Sequence, residues 1–343
     1  MSSVTVSNNI TFHYTDSGSV DQSNEYTTVI MVHGICFHSE VFRRLLPLAK
    51  THGLRIISVA RRGYLGSTPY TTDEKNVLYN GTVEQQSIFL NSQGALLALF
   101  VDAVIQKHSI PEAGGIAILG WSMGNIFPMA MLAAMHTLPP DSKERLKRYL
   151  RSYICFEAPN VAFGIPCDEG TYSPLTDPSI PPQNRVDAFK IWVSGYFKHG
   201  DLSTKDFAQL NQRDFESNAR KPTVSTMSDE ECASMFDAST GAEFDAPVTS
   251  PGNFESILRS LTPKALFDSE IRREWGRLRI HFMFGENTIW PIISPMWELE
   301  ERARWAGIEH EFVKGGNHFL MWDEPETFMN SLNIILSKPQ IDS

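Results

Sequence analysis

The chain has 343 residues, of which 42% are hydrophobic and 20% are charged, and its formal net charge is −10 at pH 7. This acidic balance argues against nucleic acid as a partner, because nucleic acid is bound by basic surfaces. The apolar runs also stay short of the roughly 18–20 residues that a membrane helix requires, so no membrane span is expected.

Taken in chain order, the sequence alternates short apolar runs with longer amphipathic stretches. A hairpin is predicted over residues 4–18, and six strands follow it. The predicted strands are Thr27 to Val32, Leu54 to Val59, Ile116 to Leu119, Ser152 to Phe156, Leu278 to Phe284 and Glu309 to Val313. The predicted helical stretches are Ser39 to Lys50, Thr82 to His108, Met123 to His136, Ile293 to Trp305 and Pro325 to Leu336. Strands separated by such helices favour an α/β fold with a mostly parallel central sheet and helices on both faces.

One long stretch, residues 161–270, interrupts the alternation. It is rich in Pro, Ser and Asp, and it holds 17 acidic against 9 basic side chains. It lies between the fourth and fifth predicted strands, where an insertion would cover the crevice at the carboxyl ends of a parallel sheet. We therefore predict three parts: residues 1–160 as the first part of the core, 161–270 as a mainly helical lid, and 271–343 as the second part of the core.

An apolar stripe at helical spacing within the predicted lid has two interpretations. Its members are Phe189, Trp192, Val193, Tyr196 and Phe197. Packing of the lid onto the core is the favoured interpretation, since most such stripes are packing surfaces. The alternative is that part of the stripe lines a substrate pocket. The candidate pocket residues are Trp121, Trp192, Tyr196 and Trp290.

Cysteine usage and the N-terminal residues indicate the compartment and the absence of a metal site. The first nine residues lack a basic start followed by an apolar stretch, so no signal peptide is expected. Four cysteines in so long a chain do not make a disulfide framework, and no Cys/His pair has the spacing of zinc ligands. We expect a soluble cytoplasmic protein without a metal or other cofactor, which acts on a small molecule. The sequence leaves the oligomeric state open.

The strongest chemical motif is the run from Gly120 to Gly124, which reads Gly-Trp-Ser-Met-Gly. It directly follows a predicted strand and precedes a helical stretch, as the G-x-S-x-G nucleophile motif requires. The sharp turn would strain the backbone of Ser122 and hold its hydroxyl out at the sheet edge. The helix that follows favours negative charge near its N-terminus. Ser122 is therefore the candidate nucleophile.

A second motif, His33-Gly34, ends the first predicted sheet strand. Such a turn can direct a backbone N–H toward the nucleophile, and the amides of Ile35 and Met123 would together form an oxyanion hole. The alternative is that His33-Gly34 only ends the strand. The presence of Ser122 favours the oxyanion hole.

The candidate base is His318, which follows the last predicted strand. The two glycines at 315 and 316 permit a tight loop that can bring its imidazole back over the sheet. The alternative, a lone surface histidine, applies to any of the ten histidines in the chain. The position after the last strand favours the catalytic interpretation.

These motifs, which span residues 33 to 326, resemble those of the α/β-hydrolases. The run Arg61-Arg62-Gly63-Tyr64-Leu65-Gly66-Ser67 is similar to the Arg-Gly-x-Gly-x-Ser loop usual in that family. Its continuation through Tyr70 is similar to sequences common among fungal members. The resemblance implies the α/β-hydrolase fold and a triad of nucleophile, histidine and acid.

The acid departs from the commonest pattern of that family. Many members place an Asp three residues after the Gly that ends the strand before the last, and here that position is Thr288. Threonine cannot stabilise an imidazolium as a carboxylate does. Two substitutes are available: Glu157, at the end of the fourth predicted strand, and Glu286. Glu157 is preferred because it is similar in position to the acid of some haloalkane dehalogenases and of a related coelenterazine luciferase; a Ser–His dyad is a further alternative.

A serine nucleophile sets the expected reaction. In the family that the sequence resembles, members with an Asp nucleophile form an ester on that carboxylate. A serine nucleophile with an oxyanion hole instead suits attack on a carbonyl carbon. We expect hydrolysis of an ester, lactone or thioester of a small, largely apolar molecule through an acyl-Ser122 intermediate. Acyl transfer on the same triad is one alternative, and a ligand-binding homologue without turnover is another.

Overall fold

The structure is a computed structural model that describes residues 1–7, 9–20, 23–167, 169–215, 219–249, 252, 254–276 and 278–338. In this part of the chain eight strands form one sheet in the order β1-β2-β4-β3-β5-β6-β7-β8. Their bounds are β1 Ser2–Thr5, β2 Thr11–Asp16, β3 Thr27–Val32, β4 Leu54–Val59, β5 Ile116–Trp121, β6 Leu150–Phe156, β7 Arg279–Gly285 and β8 Glu309–Val313. The β1–β2 and β2–β4 pairs are antiparallel, and all pairs from β4 across to β8 are parallel.

The predicted α/β class with a mostly parallel sheet is confirmed. Strands β3, β4 and β8 have the predicted bounds, and β5, β6 and β7 differ from prediction by one or two residues. Every residue of β4 and β5 is buried. Continuous apolar runs of this kind form strands that are covered on both faces, which is why the sequence signal was clear. The carboxyl ends of β3, β5, β6 and β7 meet at one edge of the sheet.

Helices pack in two groups beside the sheet. Helix α2 packs against α3, and α13 packs against a 3₁₀ segment at Ser39–Leu48. The helix bounds are α1 Thr72–Asn80, α2 Val83–His108, α3 Ile126–Ala133, α4 Pro140–Tyr149, α5 Arg185–Val193, α6 Asp229–Ala233, α7 Ala238–Thr240, α8 Ala246–Thr249, α9 Glu255–Leu266, α10 Ser269–Glu274, α11 Trp290–Trp305, α12 Leu320–Asp323 and α13 Pro325–Ser337.

Several helices, among them α1 and α4, differ from the sequence prediction, and two of the differences have a local cause in the sequence. The stretch predicted as a helix over Ser39 to Lys50 is a 3₁₀ segment with Pro47 inside it, and proline cannot donate an α-helical hydrogen bond. Helix α1 was not predicted, although Thr71 and Glu74 form a capping box at its start. A Thr-x-x-Glu spacing is the local signal that could have found it.

Helix α2 corrects the expectation that no apolar run is long enough for a membrane. Within the described residues it is the one helix with the length and composition to span a membrane, and 67% of its most apolar window is buried inside the protein. A Cβ at Gly94 would lie 2.3 Å from the backbone carbon of Ala130, so α2 and α3 cross in close contact. Helix α2 is therefore a buried helix of the core.

Residues 161–270, hereafter the insertion, connect β6 to β7. The described residues of this segment form helices α5 to α9, the start of α10, and several 3₁₀ turns, and none of the eight sheet strands falls among them. The insertion pairs with the loop after β3 through an isolated bridge between Phe37 and Phe236. Its mainly helical character agrees with the expectation, while the division of the chain into core and lid stays a prediction.

His281 on β7 is a buried titratable side chain without a hydrogen-bond partner. It is 3% exposed, and neither ring nitrogen has a partner among the described residues; a carboxylate oxygen of Glu309 lies 3.9 Å from its Nδ1. Burial lowers the pKa of His281 to about 4, and the positive charges of Arg279 and Lys338 add to this effect. The imidazole is thus neutral in the folded protein.

We predict that His281→Leu stabilises the protein more at pH 5 than at pH 7. The unfolded chain protonates this histidine below about pH 6.5, whereas the folded protein does not until about pH 4. Unfolding therefore takes up a proton between these values, and stability falls as the pH falls through this window. In thermal melts, the gain in melting temperature of the variant over the wild type should be a few °C larger at pH 5 than at pH 7. This difference corresponds to about 1–2 kcal/mol in the free energy of unfolding.

His136→Leu, at an exposed position, is the matched control. It should change the melting temperature equally at both pH values. An equal gain at pH 5 and pH 7 for His281→Leu would contradict the prediction.

Candidate active site

The turn after β5 holds Ser122 in a strained conformation. Ser122 has φ 55°, a value that residues other than glycine adopt rarely. A Cβ at Gly124 would lie 2.2 Å from the carbonyl oxygen of His33, and one at Gly120 would lie 2.5 Å from Oδ1 of Asn125. Both positions therefore require glycine, because the strand and the helix that meet here leave no room for a side chain.

The loop after β3 lies directly against this turn. A Cβ at Gly34 would lie 2.9 Å from Cβ and 3.3 Å from Oγ of Ser122. The Ile35 N–H has no hydrogen-bond partner among the described residues. Met123 is in the first turn of the 3₁₀ helix Ser122–Asn125, where N–H groups lack partners within the helix. The role of these two amides as oxyanion donors stays a prediction.

Glu157 and His318 form a buried pair beside the turn. Nδ1 of His318 lies 2.9 Å from Oε2 of Glu157, and the two side chains are 2% and 0% exposed. Glu157 follows β6 directly and has φ 53°, so the chain is bent sharply at this point as well. A backbone N–H, that of Gly285, donates to Oε1 at 2.6 Å. The acid preferred in the sequence analysis is thus the carboxylate that contacts His318.

Thr288 occupies the position at which an Asp was expected, and it contacts the same carboxylate. Its hydroxyl donates a hydrogen bond to Oε2 of Glu157, the oxygen that also binds His318. Thr288 is fully buried. From the sequence, Thr288 is only a missing acid, since no local signal indicates its contact with a side chain 131 residues away.

The alternative acid, Glu286, has a different set of contacts. Its Oε2 accepts a hydrogen bond from the N–H of Gly315 at 3.0 Å. This contact joins the loop after β7 to the glycine-rich loop before His318. Glu286 therefore holds the histidine loop through its backbone, and the described contacts do not join it to the imidazole.

Two further side chains fix the relative positions of these loops. Nε1 of Trp121 donates to the carbonyl oxygen of His318 at 2.9 Å, and the two rings lie 5.1 Å apart. Nδ2 of Asn125 donates to the carbonyl oxygens of Ser122 and Phe156 at 2.9 and 3.0 Å. Among the hydrogen bonds of the described residues, none joins Ser122 Oγ to His318, a contact that often tightens only when substrate binds.

The remaining candidate pocket residues are buried and hydrogen-bonded to the protein. Nε1 of Trp192 donates to the carbonyl of Gln212 at 2.8 Å, and the Tyr196 hydroxyl donates to Asp323 at 2.5 Å. Trp290 donates to a carbonyl of the insertion and lines a cavity of about 630 Å³ between the insertion and α11. These contacts agree with the packing interpretation of the stripe, and a pocket role for these residues stays a prediction.

The site lies among aromatic rings rather than metal-binding groups. The ring of Phe37 is within 6.3 Å of that of Trp121 and within 4.8 Å of those of Phe236 and Phe319. Within the described residues no group of three His, Cys, Asp or Glu side chains could hold a metal ion. A hydroxyl, an imidazole, a carboxylate and free N–H groups at one sheet edge can together support nucleophilic catalysis.

Comparisons with known proteins identify the fold. A family model described as "Alpha/beta hydrolase family" matches residues 29–330. Three solved structures each match 98% of this chain. An esterase from Rhodococcus sp. ECU1013 is 14% identical, with 98% of its own chain covered and a TM-score of 0.51, and an esterase from Exiguobacterium antarcticum is 15% identical, with 99% of its chain covered and a TM-score of 0.50. A bromoperoxidase from Bacillus anthracis is 14% identical, with 100% of its chain covered and a TM-score of 0.50. At these identities the likeness shows a shared fold. A search of curated proteins gives no match.

We predict that Glu157→Gln lowers kcat on a p-nitrophenyl ester by roughly 10²–10⁴-fold. Glutamine keeps the size of the side chain but removes the charge that stabilises a protonated His318. Glu286→Gln is the matched control and should cost far less, because its contact is to a backbone N–H. Both variants should melt at similar temperatures. A dead Glu286→Gln with an active Glu157→Gln would reverse the assignment, and two active variants would indicate a Ser–His dyad.

We predict that Thr288→Val lowers kcat by about tenfold and leaves KM nearly unchanged, since a hydrogen bond to a carboxylate is worth about 1.5–3 kcal/mol. Valine keeps the shape of threonine but cannot donate to Glu157. Thr288→Ser should retain most activity. Thr262→Val is the control, because it removes a buried hydroxyl whose hydrogen bond among the described residues, at 3.0 Å, is to the backbone carbonyl of Phe163 and to no triad side chain. Equal losses at 262 and 288 would contradict the prediction.

Proposed function

The chain belongs to the α/β-hydrolase family, and on that basis we propose that it is a serine hydrolase acting on a carboxylic ester, lactone or thioester of a small, largely apolar molecule. The family match supports a hydrolytic enzyme, and the finer assignment depends on the site. The observation that carries it is the 2.9 Å contact between the buried side chains of Glu157 and His318, next to the strained Ser122. In this arrangement the carboxylate can stabilise an imidazolium while it forms.

The proposed reaction begins with attack of Ser122 on the substrate carbonyl. Nε2 of His318 takes the hydroxyl proton as Oγ bonds to the carbonyl carbon. The negative charge on the carbonyl oxygen is stabilised by the N–H groups of Ile35 and Met123. The imidazolium then gives its proton to the leaving alcohol or thiol, and the acyl-Ser122 ester remains.

The second half of the reaction uses water in place of the leaving group. His318 accepts a proton from water, whose oxygen attacks the acyl carbon. The second tetrahedral intermediate collapses, the carboxylic acid leaves, and the proton returns to Ser122 Oγ. Glu157 stays ionised throughout and keeps Nδ1 of His318 as the protonated ring nitrogen.

The surroundings of Ser122 support an apolar substrate. Ser122 is only 8% exposed, and the side chains of Phe37, Trp121 and Phe319 pack against one another beside it. An enclosed aromatic environment favours an apolar acyl or alcohol group, since burial of apolar surface contributes about 25 cal/mol per Å². It also excludes bulk water, which strengthens the electrostatic interactions of the triad.

We predict that Ser122→Ala abolishes hydrolysis of p-nitrophenyl butyrate and covalent labelling by a fluorophosphonate. Without the nucleophile only binding and oxyanion effects remain, so a loss on the order of 10³-fold or more is expected. Intact-mass spectrometry should show one adduct on the wild type and none on the variant.

Three other results would change the proposal. A wild type that takes up no fluorophosphonate would indicate a binding protein without turnover. A folded Ser122→Ala variant with near-normal turnover would exclude the covalent route. A product spectrum dominated by the methyl ester when methanol is added would favour acyl transfer over hydrolysis.

A further inference from the structure

We infer that Asp245, in the insertion, is a positioning residue for the oxyanion hole and acts through Arg61. This inference rests on the proposed function, because it assigns a role in stabilising the oxyanion of that reaction. Neither residue is expected to touch the substrate. Both would act on the orientation of the peptide group between Gly34 and Ile35.

Arg61 binds the two carbonyl groups that precede the candidate oxyanion donor. Its Nε donates to the carbonyl of His33 at 3.0 Å, and its Nη2 donates to that of Gly34 at 2.7 Å. The planar guanidinium presents these donors in a fixed fork, so both carbonyls are held at once. The side chain is 5% exposed and lies at the end of β4.

The direction of one carbonyl sets the direction of the Ile35 N–H. The chain has no cis peptide bond among the described residues, and the C=O and N–H of a trans peptide point in opposite directions. Because Arg61 holds the oxygen of Gly34, the Ile35 N–H of the same peptide group points away from Arg61. That N–H is left without a partner among the described residues, and the Gly34 Cα lies against Ser122.

The contact between Arg61 and the Gly34 carbonyl also makes the Ile35 N–H a stronger hydrogen-bond donor. A cationic group at 2.7 Å from a carbonyl oxygen polarises the peptide, and polarisation strengthens the hydrogen bonds that its N–H can make. His33 adds a second contact, as its Nδ1 lies 3.0 Å from the same oxygen. Burial and the charge of Arg61 lower the pKa of His33 well below its ordinary value, so its ring is neutral. Its Nε2 accepts from the backbone N–H of Arg61 at 3.0 Å, and Nδ1 is therefore the nitrogen that donates to the Gly34 carbonyl.

Asp245 fixes the guanidinium from the opposite side. Its two carboxylate oxygens accept from Nη1 and Nη2 of Arg61 at 2.7 and 2.8 Å. Burial alone would lower the pKa of Arg61, but the charge and hydrogen bonds of Asp245 raise it overall. A buried guanidinium without a counter-ion would be costly and would turn toward other partners, so the carboxylate determines where the fork points.

Tyr64 connects Asp245 to Cys36, the residue that follows the candidate donor Ile35. The Tyr64 hydroxyl donates to Asp245 at 2.6 Å and accepts from the N–H of Cys36 at 3.2 Å. Burial, together with the charge of Asp245, raises the pKa of Tyr64, so the hydroxyl stays protonated. The backbone on both sides of Ile35 is thus bound to the Arg61–Asp245 pair, by Arg61 before it and by Tyr64 after it.

The local structure of the insertion agrees with this role. Asp245 ends a π-helical segment, Gly241–Asp245, and such segments often occur at functional sites. The other end of the segment also contacts the loop after β3, because a Cβ at Gly241 would lie 2.3 Å from Sγ of Cys36. One end of this short segment therefore packs on the loop that carries the oxyanion donor, and the other end binds Arg61, which holds that loop.

The test compares Asp245→Asn with the wild type on p-nitrophenyl butyrate. The oxyanion forms only in the transition state, so a displaced donor should lower kcat and leave KM nearly unchanged. Loss of one oxyanion donor costs about 10²–10³-fold, and a misdirected one should cost about 10–100-fold. A trifluoromethyl ketone, which forms an oxyanion on Ser122, should bind more weakly by the same factor, while the corresponding methyl ketone should bind as before.

Asp16→Asn is the matched control. Asp16 forms a two-contact ion pair with Arg55 at 2.9 and 2.5 Å, remote from the triad. This variant tests whether loss of any buried Arg–Asp pair lowers activity through stability. It should leave kcat and the binding ratio of the two ketones unchanged.

Arg61→Lys is the second variant and decides the question if Asp245→Asn does not fold. Lysine keeps the charge beside Asp245, but its three donors cannot reproduce the four hydrogen bonds of Arg61. Arg61→Lys should lower kcat as Asp245→Asn does. It should also weaken binding of the trifluoromethyl ketone relative to the methyl ketone. A folded variant of either kind with wild-type kcat overturns the inference, as does equal weakening of both ketones. If the wild type neither cleaves the ester nor binds the trifluoromethyl ketone, the proposed function itself fails.

Discussion

The buried carboxylate of Glu157 is the interaction on which the geometry of the site depends. An ionised group with no solvent exposure is tolerated only when its oxygens have partners, because desolvation of a charge is costly. The partners come from three places: the N–H of Gly285, the hydroxyl of Thr288 and the imidazole of His318. One side chain at the end of β6 thereby fixes the loops that follow β7 and β8.

The insertion binds three of the loops that form the candidate site. Phe197 and Asn287 exchange two hydrogen bonds, which join the insertion to the loop after β7. Nδ2 of Asn317 donates to the carbonyl of Ser194 at 2.9 Å, next to the candidate base. Asp245 binds the loop after β3 through Arg61. A segment without a catalytic motif therefore contributes to the arrangement of all three loops, and its role is more than coverage of the crevice.

Local patterns were sufficient to predict the sheet and much of the candidate site. Buried apolar runs gave the six central strands, and the glycines around Ser122 indicated a sharp turn. His318 could be selected because its loop follows the last strand. Glu157 could be selected because it ends a strand at the same edge and is similar in position to the acid of some haloalkane dehalogenases. These signals lie within a few residues of the groups they identify, which is why the sequence was enough.

The rest depends on contacts between distant parts of the chain. Thr288 was interpreted as a lost acid because its partner is 131 residues away, and Asp245 is 184 residues from Arg61. Nothing in the composition around Asp245 distinguishes it from the other acidic residues of the insertion. The short helices of the insertion were hard to predict for a similar reason. Most of them are too short to show a periodic pattern, and packing on the core stabilises them.

The π-helical segment Gly241–Asp245 makes the helical winding of the insertion matter where it meets Cys36 and Arg61. A π-turn contains about one residue more than an α-turn. An α-helix turns by about 100° per residue, more than a π-helix does, so rewinding these five residues as an α-helix would rotate Asp245 around the helix axis relative to Gly241. The carboxylate would then leave Arg61 while Gly241 stayed against Cys36. The π-helical winding of these five residues therefore keeps the contact with Cys36 and the contact with Arg61 in place together.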